Sequence, residues 1–456
     1  MPDRFGEYLS EAAAQIRWRQ ARPALTRELA DHLADQKEAN LAAGMEDEAA
    51  ETEAVRQMGD PVLVGQALDR VHRPKPQWGL LTLTLALFLA GALLRFYLHT
   101  SFFSADAVYE QLPKIIAAAI VSLTALFGGY LLDISFVGKN SVLIYLSVLA
   151  ISLLLFWRSA RLAGVPYYLG QLAAVYPVIY ALAVYALRGR GWTGYVLSLL
   201  AGVPLAWLSL AAVNIPSLVI LLTTGVVLML LCSRRDWFQT SSRVTVWVTA
   251  ALAVLCAGCV LYVLWQTGVL DTALHPERDP YGRGYTSLVV RDIVRASRWW
   301  GHGEEIQVPR FLVMELTGDF FPLNILYLLG RWPLLLLCAA LIALLVWGLA
   351  KAIRQESALG RIVSLAVVLA IGQQFLWGLL SNLGFVLFAT SMPLVTGHIN
   401  SALDMAMLGL LLSCFRCETL PETDALHAKR DRASSPRIRW DDGILTINLR
   451  LTDTTK

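Results

Sequence analysis

Charged residues are scarce in this chain. Asp, Glu, Lys and Arg make up 16% of its 456 residues, against roughly 25% in an ordinary soluble protein. Hydrophobic residues make up 56%, and the mean hydropathy is +0.54. The polar residues of a single water-soluble globule could not cover so much apolar surface. The composition therefore excludes a purely soluble protein and predicts a membrane protein with soluble attachments.

Several signatures of common chemistry are also missing. The sequence has no phosphate-binding loop, no GxSxG, no HExxH and no dinucleotide-binding fingerprint, which argues against nucleotide-driven transport by this chain alone. Two CxxC pairs occur, at 256–259 and 414–417, but neither is flanked by a second pair or a histidine cluster. The cysteines are therefore interpreted as small apolar packing residues. The net charge of +3 gives no reason to expect a nucleic-acid partner.

Residues 1–77 are charged and predict a small cytoplasmic helical domain without a secretory signal. Apolar residues recur near helical spacing from 5 to 43, which predicts a first helix. A second helix is predicted over 47–58. A third is predicted over 62–71, with the Asp-Pro pair at 60–61 supplying its N-cap and its first residue.

The rest of the chain, up to residue 416, alternates long apolar runs with short polar joints. A helix needs about 20 apolar residues to cross roughly 30 Å of hydrocarbon. Basic residues cluster in the joints at 188–190, 234–243 and 351–361, which places these joints and both termini on the cytoplasmic side. The predicted spans are 79–98, 114–133, 141–157, 166–187, 192–212, 215–232, 245–267, 321–350, 361–388 and 397–415.

Two segments depart from this alternation. Residues 268–320 form a polar loop that is too long for a simple connection and too aromatic for a disordered spacer, which predicts an ordered extracytoplasmic cap. The tail, 417–456, contains an Asp-Gly pair at 442–443 between alternating apolar and polar residues, which predicts a β-hairpin over 437–450. The predicted fold is an all-α polytopic membrane protein of about ten spans, with a small N-terminal helical domain and a short C-terminal β-hairpin.

Ionisable residues near the bilayer are the first candidates for function, because a charge in hydrocarbon is costly. Asp319 lies at the outer mouth of the eighth predicted span, where partial desolvation would raise its pKa and suit it to act as a general base. From the residues alone, an ordinary helix cap is the favoured interpretation of Asp319. Asp404, near His398 and Asn400, is interpreted as part of a helix-terminus cluster.

One further group of acids lies in the long loop. Glu304 and Glu305 follow Gly301-His302-Gly303, and adjacent carboxylates beside a histidine are compatible with a divalent cation. A solvated turn is the favoured interpretation, since the spacing is not diagnostic. The sequence predicts no metal site and no cofactor.

The amino-terminal domain carries a distinctive pattern over residues 15–78. It contains Gln-Ile-Arg-Trp-Arg at 15–19, Met-Gly-Asp-Pro at 58–61 and His-Arg-Pro-Lys at 72–75. These residues resemble the permease prefix domain that precedes membrane domains in Gram-positive bacteria. The resemblance implies a regulatory or assembly role for this domain.

A second pattern covers about residues 79–416 and is concentrated after the seventh span. Pro276–Pro280 is followed by Gly284-Tyr285, by Gly-His-Gly at 301–303 and by Thr-Gly-Asp-Phe at 317–320. These stretches resemble the SEDS family of FtsW, RodA and SpoVE. Members of that family are ten-span bacterial membrane proteins that polymerise lipid II into peptidoglycan glycan strands.

The resemblance implies that Asp319 is the catalytic aspartate of a peptidoglycan glycosyltransferase in the bacterial plasma membrane. It also implies loop residues that bind an undecaprenyl-linked precursor, and a partner such as a class B penicillin-binding protein or another division or elongation component. The substrate-binding residues predicted on this basis are Arg283, Tyr285, Arg291, Arg295, Arg298, Gly301, Gly303, Arg310 and Gln374.

Two other functions stay open. The fourth span has Pro177-Val-Ile-Tyr where the family has a carboxylate and a lysine, which favours a catalytically inactive scaffold or sensor of the division or envelope machinery. A transporter of lipid-linked precursors is less favoured, because the sequence shows no convincing internal repeat of the kind that transporters have.

Overall fold

A computed structural model describes most of the chain. The described residues are 4–18, 21–73, 75–102, 105–162, 165–304, 319–388, 390–394, 399–417, 437–441 and 444–448. They divide into two units. One contains the described residues before 75 together with the C-terminal strands, and the other contains the described residues from 75 to 417.

The first unit consists of four helices and a hairpin. The helices are α1 (Arg4–Gln15), α2 (Arg22–Ala42), α3 (Asp47–Met58) and α4 (Pro61–His72). Strands β3 (Arg437–Asp441) and β4 (Ile444–Asn448) pair antiparallel, with Asp441 opposite Ile444, where the Asp-Gly signal predicted a hairpin. The Asp60 carboxylate accepts a hydrogen bond from the Val62 N–H, and Pro61 is the first residue of α4. This cap and helix start are those predicted from the sequence.

The predicted single helix over 5–43 is wrong, because the chain breaks between α1 and α2. Pro23 lies in the first turn of α2, where its missing N–H costs nothing. Ile16 and Leu25, on either side of the break, are 1% and 0% exposed and share a core with the partly buried Leu68 of α4. Two helices can pack around this core from different sides, which one straight helix could not do.

The second unit is almost entirely helical, apart from the two-residue strands β1 (Arg161–Leu162) and β2 (Val165–Pro166). Its helices are α5 (Trp78–Phe102), α6 (Ala105–Leu131), α7 (Ile134–Lys139), α8 (Ser141–Arg158), α9 (Tyr167–Leu172), α10 (Tyr176–Ala186), α11 (Gly191–Ala211), α12 (Ile215–Arg234), α13 (Ser242–Gln266), α14 (Val269–Leu274), α15 (Tyr285–Ala296), α16 (Phe321–Leu328), α17 (Arg331–Arg354), α18 (Ala358–Asn382) and α19 (Ile399–Arg416).

Nine helical segments within the described residues are long and apolar enough to cross a membrane, which confirms the all-α polytopic fold. The 18-residue helix α19 follows them, and the total of ten spans stays a prediction. Large apolar side chains on these helices face outward: Trp247 and Val254 of α13 are 75% and 73% exposed. Such exposure is favourable in hydrocarbon, where the hydrophobic effect does not drive these groups inward.

The membrane unit begins at Lys75, slightly before the predicted boundary at 77. The Lys75 N–H donates to the Arg416 carbonyl over 3.2 Å. The Gln77 carboxamide donates to the Phe415 carbonyl and accepts from Lys351 Nζ, over 3.2 and 2.6 Å. These bonds join the chain before α5 to the ends of α17 and α19.

The predicted eighth span, 321–350, is wrong in its first part. The apolar run is divided into the short buried helix α16 and the long helix α17. Gly330 separates them with a φ of +98°, and a Cβ there would lie 2.9 Å from the Trp299 carbonyl oxygen. The hydrophobic run gave no sign of the break, because both helices are apolar and the break depends on contact with a distant loop.

Helices α6 and α19 approach each other at glycines. A Cβ on Gly409 would lie 2.2 Å from the Leu126 carbonyl oxygen, and one on Gly129 would lie 2.6 Å from the Ala406 carbonyl oxygen. Small residues allow backbones to approach in this way, and the resulting van der Waals contact replaces the hydrophobic force that is missing between helices in lipid.

The Gly409→Ala substitution is therefore expected to force the two helices apart and to lower the thermal unfolding midpoint of the purified protein in detergent, measured by tryptophan fluorescence. Overpacking of this kind costs about 1–3 kcal/mol. The control is Gly128→Ala, since a Cβ on Gly128 meets nothing within 4 Å and alanine favours a helix by about 0.5–1 kcal/mol. Equal midpoints for the two variants would contradict the close crossing.

Candidate functional site

A cavity of about 170 Å³ lies within the membrane unit. It is smaller than the roughly 300–1,000 Å³ of a site that encloses a drug-sized ligand, so it fits one part of a larger substrate. The lining residues are Gly170, Gln171, Ala173, Ala174, Asn214, Pro216, Ser217, Ile220, Asp319, Ala370, Gln374, Thr390, Ser391 and Asp404.

The cavity is built where several helices begin or end on the same side of the unit. It receives residues from the segment that begins at α9, from the first turns of α12 and α19, and from the second half of α18. Asn214 caps α12 by accepting a hydrogen bond from the Ser217 N–H, and its Nδ2 donates to the Gly170 carbonyl over 2.7 Å. These bonds hold two walls of the cavity together.

Asp319 enters the cavity from the turn that precedes α16. Asn382, at the end of α18 and 2% exposed, fixes this turn. The Asn382 Nδ2 donates to the Asp319 carbonyl over 3.1 Å, and the Asn382 Oδ1 accepts from the Leu323 N–H over 3.0 Å. One buried carboxamide therefore positions both the backbone that carries Asp319 and the first turn of the helix after it.

The Asp319 side chain is accessible from the cavity, but protein surrounds it closely enough to remove part of its hydration. This burial raises the pKa of the Asp319 carboxyl above its ordinary value, because desolvation disfavours the charged form. The direction is the one predicted for this residue from the sequence, and it suits a group that must take up a proton during a reaction.

A second carboxylate, Asp404, also lines the cavity and is 2% exposed. The Gln374 Nε2 donates to Asp404 Oδ2 over 3.4 Å and to the Ser391 carbonyl over 3.3 Å, and the Leu394 N–H lies beside the Asp404 carboxylate. The structure thus places Asp319, Gln374 and Asp404 around one space. The first two were predicted site residues, whereas Asp404 was interpreted from the sequence as part of a helix terminus.

The four described arginines of the predicted site do not line the cavity. Arg283 donates to the Thr267 carbonyl over 2.5 Å, Arg291 pairs with Glu277 over 3.0 Å, and Arg295 approaches Asp292 over 3.4 Å. The Arg298 carbonyl accepts from the Arg331 N–H. Arg310 lies outside the described residues.

The predicted loop glycines and Tyr285 also lie away from the cavity, within the folded loop. The Gly301 N–H donates to the Leu329 carbonyl over 3.0 Å, and the Gly303 N–H donates to the Tyr327 carbonyl over 2.7 Å. These bonds attach the loop to the break between α16 and α17. Tyr285 is the first residue of α15, and neither it nor the two glycines reaches the cavity.

Nothing in the described part of the loop supports a divalent-cation site at Glu304 and His302. His302 Nδ1 lies 2.9 Å from the Gly303 carbonyl oxygen, and its ring packs edge-on against Tyr327. Glu305 lies outside the described residues. No group of three or more His, Cys, Asp or Glu side chains in the described part of the chain is arranged to hold a metal ion.

The Asn382→Ala substitution is expected to leave the Leu323 N–H and the Asp319 carbonyl without their partner, and to lower the thermal midpoint by an amount that corresponds to about 1–3 kcal/mol. The control is Asn140→Ala, which removes an exposed carboxamide bound only within its own turn. Both midpoints are measured on the purified protein in detergent. A shift for Asn382→Ala no larger than that of the control would contradict the positioning role.

No known family model matches this chain, and no curated protein matches it. Solved structures do. One is a chain of a peptidoglycan synthase complex, from a structure that concerns the coordination of polymerization and crosslinking. It has 20% identity and a TM-score of 0.58, and the match covers 76% of this chain and 99% of that chain.

Another similar structure is the rod shape determining protein RodA of Thermus thermophilus, with 17% identity and a TM-score of 0.49, over 76% of this chain and 98% of that one. Because the identity is this low, the match shows the fold alone. The multi-pass membrane unit described above shares its fold with the chain of the peptidoglycan synthase complex.

Proposed function

We propose that this chain is a peptidoglycan glycosyltransferase of the SEDS type, which polymerises lipid II with Asp319 as the general base. The observation that carries the proposal is the placement of Asp319: its turn is fixed by a buried carboxamide, and the residue lines a cavity. Partial desolvation there raises the pKa of its carboxyl, and the fold shared with a chain of a peptidoglycan synthase complex supports the proposal.

The reaction requires one proton transfer and one displacement. Asp319 takes the proton from a sugar hydroxyl of the acceptor, and the freed oxygen attacks the anomeric carbon of the donor. The bond between that carbon and the undecaprenyl pyrophosphate breaks, and the pyrophosphate leaves with the electron pair. The small volume of the cavity suits it to hold the reacting end of the sugar, while the polyprenyl chain remains in the surrounding lipid.

Asp319→Asn is expected to reduce the rate of lipid II polymerisation by about 10²-fold or more, because general base catalysis typically contributes 10²–10⁴-fold. The rate is measured with fluorescent lipid II and the purified full chain in lipid nanodiscs. Asp292→Asn removes an exposed loop carboxylate that is 61% exposed and is expected to have no effect. Equal product from wild type and Asp319→Asn would remove Asp319 from the mechanism.

The polymerisation rate is also expected to fall at acidic pH. A general base must be deprotonated, and burial raises the pKa of Asp319, so activity should be lost as the pH falls through a value above the ordinary aspartate pKa of about 3.9. The rate at saturating lipid II is measured against pH, with the thermal midpoint recorded in the same buffers to exclude unfolding. An acidic limb centred at or below the ordinary value would contradict this assignment.

A catalytically inactive scaffold is the second candidate function, and one observation favours it. None of the described residues that line the cavity is Lys, Arg or His, so the charge of a leaving pyrophosphate has no fixed cation there. Complementation of a cell depleted of its SEDS polymerase separates the two functions, since a scaffold would fail to restore growth.

A crosslinking partner is part of the proposal. One structurally similar chain comes from a synthase complex that combines polymerization with crosslinking. We infer by this likeness that a transpeptidase of the class B penicillin-binding protein type joins this chain in the plasma membrane. The four-helix amino-terminal unit would then serve regulation or assembly on the cytoplasmic side.

A further inference from the structure

Three of the polar side chains around the cavity already donate to the protein itself. The Asn214 Nδ2 donates to the Gly170 carbonyl, the Gln374 Nε2 donates to the Ser391 carbonyl and to Asp404, and the Thr390 hydroxyl donates to the Gln374 carbonyl over 3.1 Å. Because their donors are used, these three side chains offer a ligand mainly hydrogen-bond acceptors.

Two carboxylates, those of Asp319 and Asp404, add the strongest hydrogen-bond acceptors. Asp404 Oδ1 is buried and has no hydrogen-bond partner among the described residues, although Oδ2 is held by Gln374. A buried oxygen without a partner is costly, and a hydrogen bond made to it is strong because the surroundings have a low dielectric constant. Asp319 contributes a second carboxylate to the same space.

The backbone beside Asp404 is strained. Leu394 has a φ of +67°, which a residue with a branched side chain rarely adopts, and it is only 1% exposed. Its backbone N–H lies beside the Asp404 carboxylate, and the Gln374 Nε2 donates to Asp404 Oδ2. Strain of this kind is concentrated at functional sites. Gln374 therefore holds one oxygen of the carboxylate, and the other has no partner among the described residues.

We propose that Asp404 is a substrate-binding residue, whose carboxylate accepts a hydrogen bond from a hydroxyl or an N-acetyl N–H of a carbohydrate in this cavity. The inference rests on the proposed function and narrows it: the cavity holds the sugar part of the lipid-linked precursor, and the pyrophosphate lies outside it. A pyrophosphate offers only acceptors and negative charge, which would face two carboxylates without a cation among the described lining residues.

The test measures binding separately from turnover. Asp404→Asn is introduced into the full chain, in an Asp319→Asn background so that polymerisation is slow, and binding to nanodisc-embedded protein is measured with two fluorescent probes. One probe is lipid II, and the other is undecaprenyl pyrophosphate, which has the same anchor without the sugars. Asparagine has nearly the same size and keeps an oxygen that can accept from the Gln374 Nε2, so the turn is expected to stay folded, and the thermal midpoint checks this.

Asp404→Asn is expected to weaken lipid II binding about tenfold or more, since hydrogen bonds to charged groups are worth about 1.5–3 kcal/mol, and to leave the binding of undecaprenyl pyrophosphate unchanged. The control is Asp133→Asn, which keeps the cap of α7 and is expected to alter neither affinity. In the catalytically competent protein, Asp404→Asn should raise KM more than it lowers kcat.

Three results would overturn the inference while the proposed function stands: unchanged lipid II binding by Asp404→Asn, an equal loss of binding for both probes, or an effect of Asp404→Asn that disappears when EDTA removes divalent cations. Failure of the unsubstituted protein both to bind and to polymerise lipid II would instead remove the proposed function, and the inference with it.

Discussion

The placement of the candidate base depends on one buried carboxamide. Asn382 at the end of α18 accepts from the Leu323 N–H and donates to the Asp319 carbonyl, so a single side chain satisfies polar groups of the turn and of the helix that follows. A buried backbone group without a hydrogen-bond partner is costly, and Asn382 supplies a partner to each of these two groups. The position of Asp319, and with it the proposed chemistry, follows from this contact.

The backbone of the long loop also helps to hold the region around α16 in place. Its glycines at 301 and 303 bond to the connection between α16 and α17, and Gly330 permits the close approach of Trp299. Arg291 and Arg295 pair with carboxylates of the loop, Arg283 bonds to the Thr267 carbonyl, and Arg291 also lies against Gly384 at the end of α18. The described loop up to residue 304 thus supports the α16–α17 break, and the substrate contacts proposed here come from the turn that carries Asp319 and from the helices of the bundle.

The charged residues that line the cavity limit the kinds of ligand that it can bind. Two carboxylates, with no cation among the described lining residues, make a space that suits a neutral, hydroxyl-rich ligand better than a phosphate. The same feature leaves the leaving group of a glycosyl transfer without a fixed counter-charge among the described lining residues.

Much of the architecture followed from local patterns in the sequence. Apolar runs predicted the membrane helices, Asp60 and Pro61 predicted the start of α4, and the Asp-Gly pair predicted the hairpin, because each signal acts over a few neighbouring residues. The split of the first helix and of the eighth span, the role of Asn382, and the meeting of Asp319 with Asp404 were decided by tertiary structure. These features join residues that are far apart in the chain, and a buried polar side chain gives no local sign of which distant group it will satisfy.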